Sequence, residues 1–391
     1  MKTYLAALLI ALVSLTPLPA RAAAPEPYEI NVILSLTGIA AFLGNQELTT
    51  LKALEPVENR RGGIHGRPIK FITYDDGSNP FTTVQLANGI MAKNVPLIMG
   101  PTLGASCEAV YALVKNGPVE YCFAPTLQSA PGSYAFSASV GTPDLAIANV
   151  RYFRERGYKR IAMISSTDIS GQNGEQVVLR ALTLPENKSV TLVDNEHFGI
   201  ADVSVGAQLA RIKAANPEAI VVWSTGTPNG TVLRGLHDIG LDLPTSLNAG
   251  NIVATQMRSY ASFMPAHLYL PGYRFMASDL VLPGPVKNEM QAFFAAFAAI
   301  GTRPEAAHSF AWDATRVAIN ALRRLGPNPT ATQLRDAIEQ THSYAGINTI
   351  MDFRDGSQRG TPITAVVMIE WSPSADKFIP VSRPGGMPLV K

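Results

Sequence analysis

Residues 95–128, VPLIMGPTLGASCEAVYALVKNGPVEYCFAPTLQ, decide the fold. An apolar run of β type ends at Gly100, a loop of small residues follows, and Ala105 to Asn116 carries apolar residues at helical spacing before a second apolar run, VEYCFAP. This is a strand, loop, helix, strand unit. In open α/β sheets ligands sit beyond the carboxyl ends of the strands, which puts Thr102, Leu103, Gly104, Ala105, Ser106 and, one strand later, Thr126 and Gln128 at such an edge. A helix starting near Ala105 turns its free N–H groups to the same edge, where they favour a carboxylate or a phosphate.

Upstream, Tyr28 to Leu34 reads as a first strand, SLTGIAAFLG as a loop, Gln46 to Arg60 as a helix, IKFITYDD as a second strand and Pro80 to Lys93 as a helix. Strand and helix in alternation predict a parallel sheet. The turn GGIHGRPI between them exposes His65 and Arg67. Beyond SYAFSAS, Thr142-Pro143-Asp144 reads as a helix start, with a cap, a proline in the first turn and an acid behind it. A second alternating series follows: KRIAMIS, a helix from Gly171 to Leu182, SVTLVDNEH, Val205 to Ala214, AIVVWS, Pro228 to Ile239 and DLPTSLNA. The helical patterns from Val286 to Ile300 and Pro304 to Leu325 have no strand between them, so they must cover a sheet already built, the first one. Hence an α/β chain of two doubly wound lobes: 25–138 plus 275–346, and 139–274 plus 347–391. The chain crosses between them near Gly132 to Gly141, Leu270 to Ala277 and Tyr344 to Met351, a hinge suited to closure on a ligand.

The bulk composition agrees with two cores: 391 residues, 47% of them apolar, exceed one ordinary domain. Lys and Arg number 32 against 30 Asp and Glu, without basic runs or basic-aromatic interleaving, so no nucleic-acid partner is indicated. Lys2, the apolar run Tyr4 to Val13 and the small-residue site Ala20-Arg21-Ala22 fit a secretory signal over residues 1–22, which predicts a periplasmic protein. Two cysteines, Cys107 and Cys122, fall at the same end of one layer; they read either as a disulfide or as two buried thiols, structural in both cases. The six histidines are scattered singly and no HExxH or GxSxG occurs, so neither catalysis, a metal nor a cofactor is expected.

With SLTG and FLG (35–44), EPVENRRGGIHGRPIKFITYDDGSNP (55–80), LIMGPT (97–102) and GYKRIAMISSTDISGQNGEQ (157–176), the chain resembles the periplasmic solute-binding proteins of ABC importers, of the branched-chain amino-acid (Leu/Ile/Val) class. The resemblance implies a type I periplasmic-binding fold, a monomer trapping one small solute between its lobes, and permease subunits in the inner membrane as partners. It places ligand contacts at Phe42 and Leu43, at Thr102 to Ser106, at Thr126 and Gln128, at Ser170, at Thr225 and Gly226, and at His308 and Trp312, and Asn251 joins them as a candidate from the second lobe. Phe42, His308 and Trp312 read equally as packing residues. Such amino-acid binders hold the ammonium with an acid in the loop that here reads Asn248-Ala249-Gly250-Asn251, and no acid stands there. The solute expected is a small carboxylate, either like a branched-chain amino acid or an aromatic or other organic acid, and the departure favours one without an amine. A domain sensing a ligand for a receptor or regulator would use the same cleft.

Overall fold

The computed structural model describes residues 25–137 and 139–389; the expected export signal, 1–22, lies outside the described residues. Strands β1 (Tyr28–Leu34), β2 (Ile69–Asp75), β3 (Leu97–Met99), β4 (Val119–Cys122) and β5 (Ala135–Ser137) form a first sheet, with helices α1 (Ala41–Arg60), α2 (Pro80–Met91) and α3 (Gly104–Tyr111) between them. The spatial order is β2-β1-β3-β4-β5 and every pairing is parallel. Alternation along β1 explains its burial on both faces: Ile30, Val32 and Leu34 pack with Leu51 and Leu54 of α1, whereas Ile33 packs with Ala87, Ile90 and Val110 from α2 and α3.

The second series is α4 (Thr142–Glu155), β6 (Arg160–Ser166), α5 (Ile169–Leu182), β7 (Thr191–Phe198), α6 (Gly206–Ala214), β8 (Ala219–Trp223), α7 (Pro228–Asp238), β9 (Thr245–Ser246), α8 (Ala254–Ser259) and β10 (Leu268–Tyr273). The long helices α9 (Pro285–Ala298), α10 (Ala306–Arg324) and α11 (Ala331–Glu339) follow, then a small hairpin β11 (Tyr344–Ala345) and β12 (Ile350–Met351). Late strands β13 (Val366–Ser372) and β14 (Lys377–Pro380) return to the second sheet, and β15 (Ser382–Arg383) pairs with β16 (Met387–Pro388) at the end. The second sheet reads β14-β13-β10-β9-β8-β6-β7, parallel from β7 to β10 and antiparallel where the returning strands join.

The helical pair without a strand packs on the first sheet's own helix. Thr50 of α1 donates to the His308 carbonyl of α10 at 3.0 Å, and Glu58 of α1, 1% exposed, takes Arg323 at 2.8 Å and Arg316 at 3.1 Å. His65 touches the Leu322 carbonyl and Arg67 the carbonyls of Glu26 and Pro27, so this turn anchors neighbouring chain. Where the chain passes between the sheets, one guanidinium gathers the passages: Arg359, buried, donates to the Leu127 carbonyl, the Ser137 hydroxyl and the Ser139 carbonyl. Burial pulls it down to about 10, with Asp144 opposing.

Four local expectations need correction. Helix α1 starts at Ala41, not Gln46, because AFLG continues the helix in spite of Gly44, whose missing side chain fits under Ser35. Helix α3 starts at Gly104 and stops at Tyr111, short of Asn116. Thr142 does not cap α4: the cap position is Gly141, and the threonine hydroxyl donates instead to the Pro125 carbonyl at 3.2 Å. Helix α11, unforeseen, carries a capping box in which Thr330 and Gln333 bond each other's backbone.

Candidate functional site

The carboxyl ends of β1, β3 and β4 make the first edge. Leu103 occupies the cap position of α3 and offers no side-chain acceptor, so the helix presents its first N–H groups uncapped. Against them lies the Thr126 hydroxyl, buried and without a hydrogen-bond partner among the described residues. The two fit only because residue 104 is glycine: a Cβ there would stand 1.9 Å from Thr126 Oγ1. Ala105 is half-buried beside them and Gln128 is exposed, its amide 3.5 Å from the Thr126 carbonyl. The disulfide Cys107–Cys122 ties the first turn of α3 to the end of β4, with Cα atoms 5.8 Å apart, and closes the choice that the sequence leaves open.

Two residues expected to grip with hydroxyls turn them inward. Ser106 bonds Thr83 at 2.8 Å and Asp76 at 3.3 Å, and Asp76 also accepts from Ser35 Oγ and the Ser78 N–H, each at 2.8 Å. Thr102 Oγ1 accepts from the Ser35 N–H at 3.1 Å and donates to Glu47 Oε2 at 2.5 Å. What Ser106 can present to the exterior is its backbone N–H. Glu47, on α1, is missed by the sequence reading, and yet it lies on the apolar stripe with Leu43, Leu51 and Leu54, where an acid is a signal. It is 1% exposed and its Oε1 has no partner among the described residues. Burial pushes its carboxyl up to about 8, the Thr102 bond opposes, and the nearby Asp76 charge adds to the rise.

The second edge, at the ends of β6, β8 and β9, is largely bonded to itself. Asp168 caps α5 by accepting from the Gly171 N–H at 3.0 Å and the Ser166 hydroxyl at 2.5 Å. Gly171 has to be glycine, since a Cβ would meet the Ser166 carbonyl at 1.8 Å. Ser170 and Thr225 share a hydroxyl contact of 2.8 Å, both half-buried. Asn251 accepts from the Gly226 N–H at 2.9 Å and from Asn229 at 2.8 Å, and donates to the Ser224 carbonyl at 2.8 Å. Asn248 donates to that same carbonyl, also at 2.8 Å. Asn251 therefore holds the loop's shape with its whole amide, which leaves it nothing for a ligand.

Of the aromatic candidates, Phe42 and Leu43 stand half-buried in the first turn of α1, next to the edge. Trp312 and His308 do not line it. Trp312 is fully buried, edge-on to Phe293 at 5.1 Å, with its N–H on Glu289 at 3.1 Å. His308 accepts the Glu305 N–H at 2.8 Å in the capping box of α10 and packs on Phe297 at 4.8 Å; burial pulls it down to about 4. Their helical spacing is core packing between α9 and α10. Beside the edges stand exposed apolar side chains that the sequence reading did not single out: Ile39 and Phe81 at the first, Ile169 at the second. Glu305 reaches from α10 to Gln46 of α1 at 2.8 Å and to the Ala254 N–H at the start of α8 at 3.3 Å. A surface hollow of about 450 Å³ between α6, α7 and Tyr260 contains none of the candidate residues.

Residues 27–377 match the family described as periplasmic binding protein. The Leu/Ile/Val-binding protein of Escherichia coli K12 is 24% identical over 55% of this chain, and the chain spans 59% of that protein's length. The Leu/Ile/Val-binding protein homolog 1 of Brucella abortus is 23% identical over 89% of this chain and 91% of its own. Among solved structures, an extracellular ligand-binding receptor from Rhodopseudomonas palustris HaA2 superposes with a TM-score of 0.79 at 19% identity, over 91% of this chain and 100% of that one. A leucine binding protein from Thermotoga maritima does so with 0.75 at 18%, over 90% and 97%. Two open sheets with ligand-type edges, three passages between them and these likenesses agree: the chain has the type I periplasmic-binding fold and belongs to the periplasmic binding protein family.

Proposed function

We propose that this protein is an exported solute receptor that closes on a small carboxylate and hands it to the permease of an ABC transporter. The observation that carries the reading is the pairing at the first edge: uncapped α3 N–H groups beside the partnerless Thr126 hydroxyl, a donor set that suits one carboxylate. The lobes in this reading are 25–138 plus 275–346 and 139–274 plus 347–391, with the solute between the first edge and the Ser170–Thr225 pair. Phe42 and Ile39 would face its apolar end. The Leu/Ile/Val-binding names of the relatives support transport of a small carboxylate.

An amine-free acid fits better than an amino acid, because Asp168, Asp76 and Glu305 around the edges already have partners, and Glu47, with one oxygen unpartnered among the described residues, is pushed toward the neutral form by burial. Asp168 is spent on the α5 cap, Asp76 on four donors, and Glu305 on Gln46 and the Ala254 N–H. A buried ammonium left without its partner loses about 3–5 kcal/mol, roughly two to three decades of affinity. Calorimetry with 4-methylpentanoate, benzoate and leucine tests this: the acids should bind at least about 100-fold more tightly than leucine. Tight leucine binding with no response to the acids overturns it, and mass spectrometry of solute released from the purified protein names the natural ligand.

A further inference from the structure

We propose that Glu47 is a positioning and charge-selecting residue behind the α3 edge: its carboxyl must be neutral for the edge to hold an anion, so solute capture is linked to one proton on Glu47. The inference rests on the carboxylate reading of that edge.

The geometry is a short relay. Glu47 Oε2 takes the Thr102 hydroxyl, that hydroxyl takes the Ser35 N–H, and so the loops after β1 and β3 are pinned to α1 through one carboxyl. Thr102 stands two residues before Gly104, at most about 7.6 Å of chain, so the Glu47 carboxyl bonds the loop that leads into the first turn of α3. Asp76 completes the setting: it too is buried, bonded to Ser106 of α3, and placed where its charge opposes ionisation of Glu47. No lysine or arginine bonds either acid among the described residues. A negative solute adds a further like charge to this group, and an ionised Glu47 would repel it; taken at roughly 8 Å and an effective dielectric near 20, that repulsion is worth about thirty-fold in affinity. The titratable groups facing the Glu47 end of α1 are Asp75 beside Asp76, and His308 and Glu305 of α10 opposite Thr50 and Gln46, while Glu58 with Arg316 and Arg323 lies three turns further along the helix; His308, down at about 4, holds no proton in the alkaline range.

The consequence is measurable as proton uptake. Below pH 8 Glu47 is already neutral and binding is insensitive to pH; above it, the anion must draw a proton back onto Glu47. With 4-methylpentanoate and benzoate as probes and the full chain, affinity should fall about fifteen-fold from pH 6 to 9.5, and calorimetry in buffers of different ionisation enthalpy at pH 8.5 should show roughly two-thirds of a proton taken up. Glu47→Gln, which keeps an acceptor for Thr102 and cannot ionise, should show a flat profile and no uptake. A merely structural glutamate would give neither signal. Wild-type binding without uptake at pH 8.5 overturns the proposal and needs no variant, as does a Glu47→Gln protein that keeps the alkaline loss. If neither probe binds at any pH, the carboxylate reading of the edge fails first and takes this inference with it.

Discussion

The two sheets end in the same kind of edge and treat it in opposite ways. At the second, Asp168 caps α5 and the amides of Asn229, Asn248 and Asn251 converge on the Ser224 carbonyl. At the first, α3 has no side-chain cap and the Thr126 hydroxyl has no partner. Buried donors left unbonded cost about 1–3 kcal/mol each, and in the proposed reading a solute carboxylate satisfies those of the first edge. In that reading one edge grips and the other covers. The loops look alike in sequence, rich in Ser, Thr, Asn and Gly on both sides, and differ in how much of that chemistry is bonded internally; at the second edge Ser165 Oγ, Ser224 Oγ and Asn229 Oδ1 are left without a partner among the described residues.

The contrast can be broken in four places. Gly104→Val drives a side chain into Thr126 and seals the α3 terminus; solute affinity should drop at least about 100-fold, about 3 kcal/mol, as two charge-assisted bonds are lost, with the circular dichroism of the fold intact. If affinity survives, the first edge is not the grip. Asn251→Ala removes the amide that organises the second edge and should lower unfolding free energy by about 2–3 kcal/mol in denaturant titration. A loss of affinity without loss of stability would show that Asn251 serves the solute instead. Thr126→Val should weaken binding about 10-fold while leaving the thermal midpoint level or higher, since the hydroxyl removed had no partner to lose. Smallest, Asp168→Ala should cost about 1 kcal/mol of stability through the lost cap and change affinity less than Thr126→Val.

Much of the architecture is written in plain periodicity. The span Tyr28 to Leu34 is a strand in both readings, and the helix expected from Gly171 is present, starting two residues earlier at Ile169 behind its Asp168 cap. The first edge is legible because strand, small-residue loop and helix follow one another within a few residues. The site fails to be legible where side-chain direction decides. Ser106 and Thr102 have the right chemistry at the right edge, but only coordinates show their hydroxyls facing Asp76 and Glu47. Trp312 and His308 lie at helical spacing, a pattern shared by a pocket wall and by the seam between two packed helices; here the second is realised. Two signals were available and went unread: the T-x-x-Q box at Thr330 to Gln333 that announces α11, and the acid at position 47 on an otherwise apolar stripe.

The bridge between Cys107 and Cys122 joins the helix that supplies the N–H groups to the strand whose following loop supplies Thr126. If these are the two fingers of the proposed grip, the bridge joins them before any ligand arrives, and little order remains to be imposed on capture. A preparation kept in dithiothreitol would hold the same sequence with the clasp undone, and weak binding measured there would describe the handling and not the receptor.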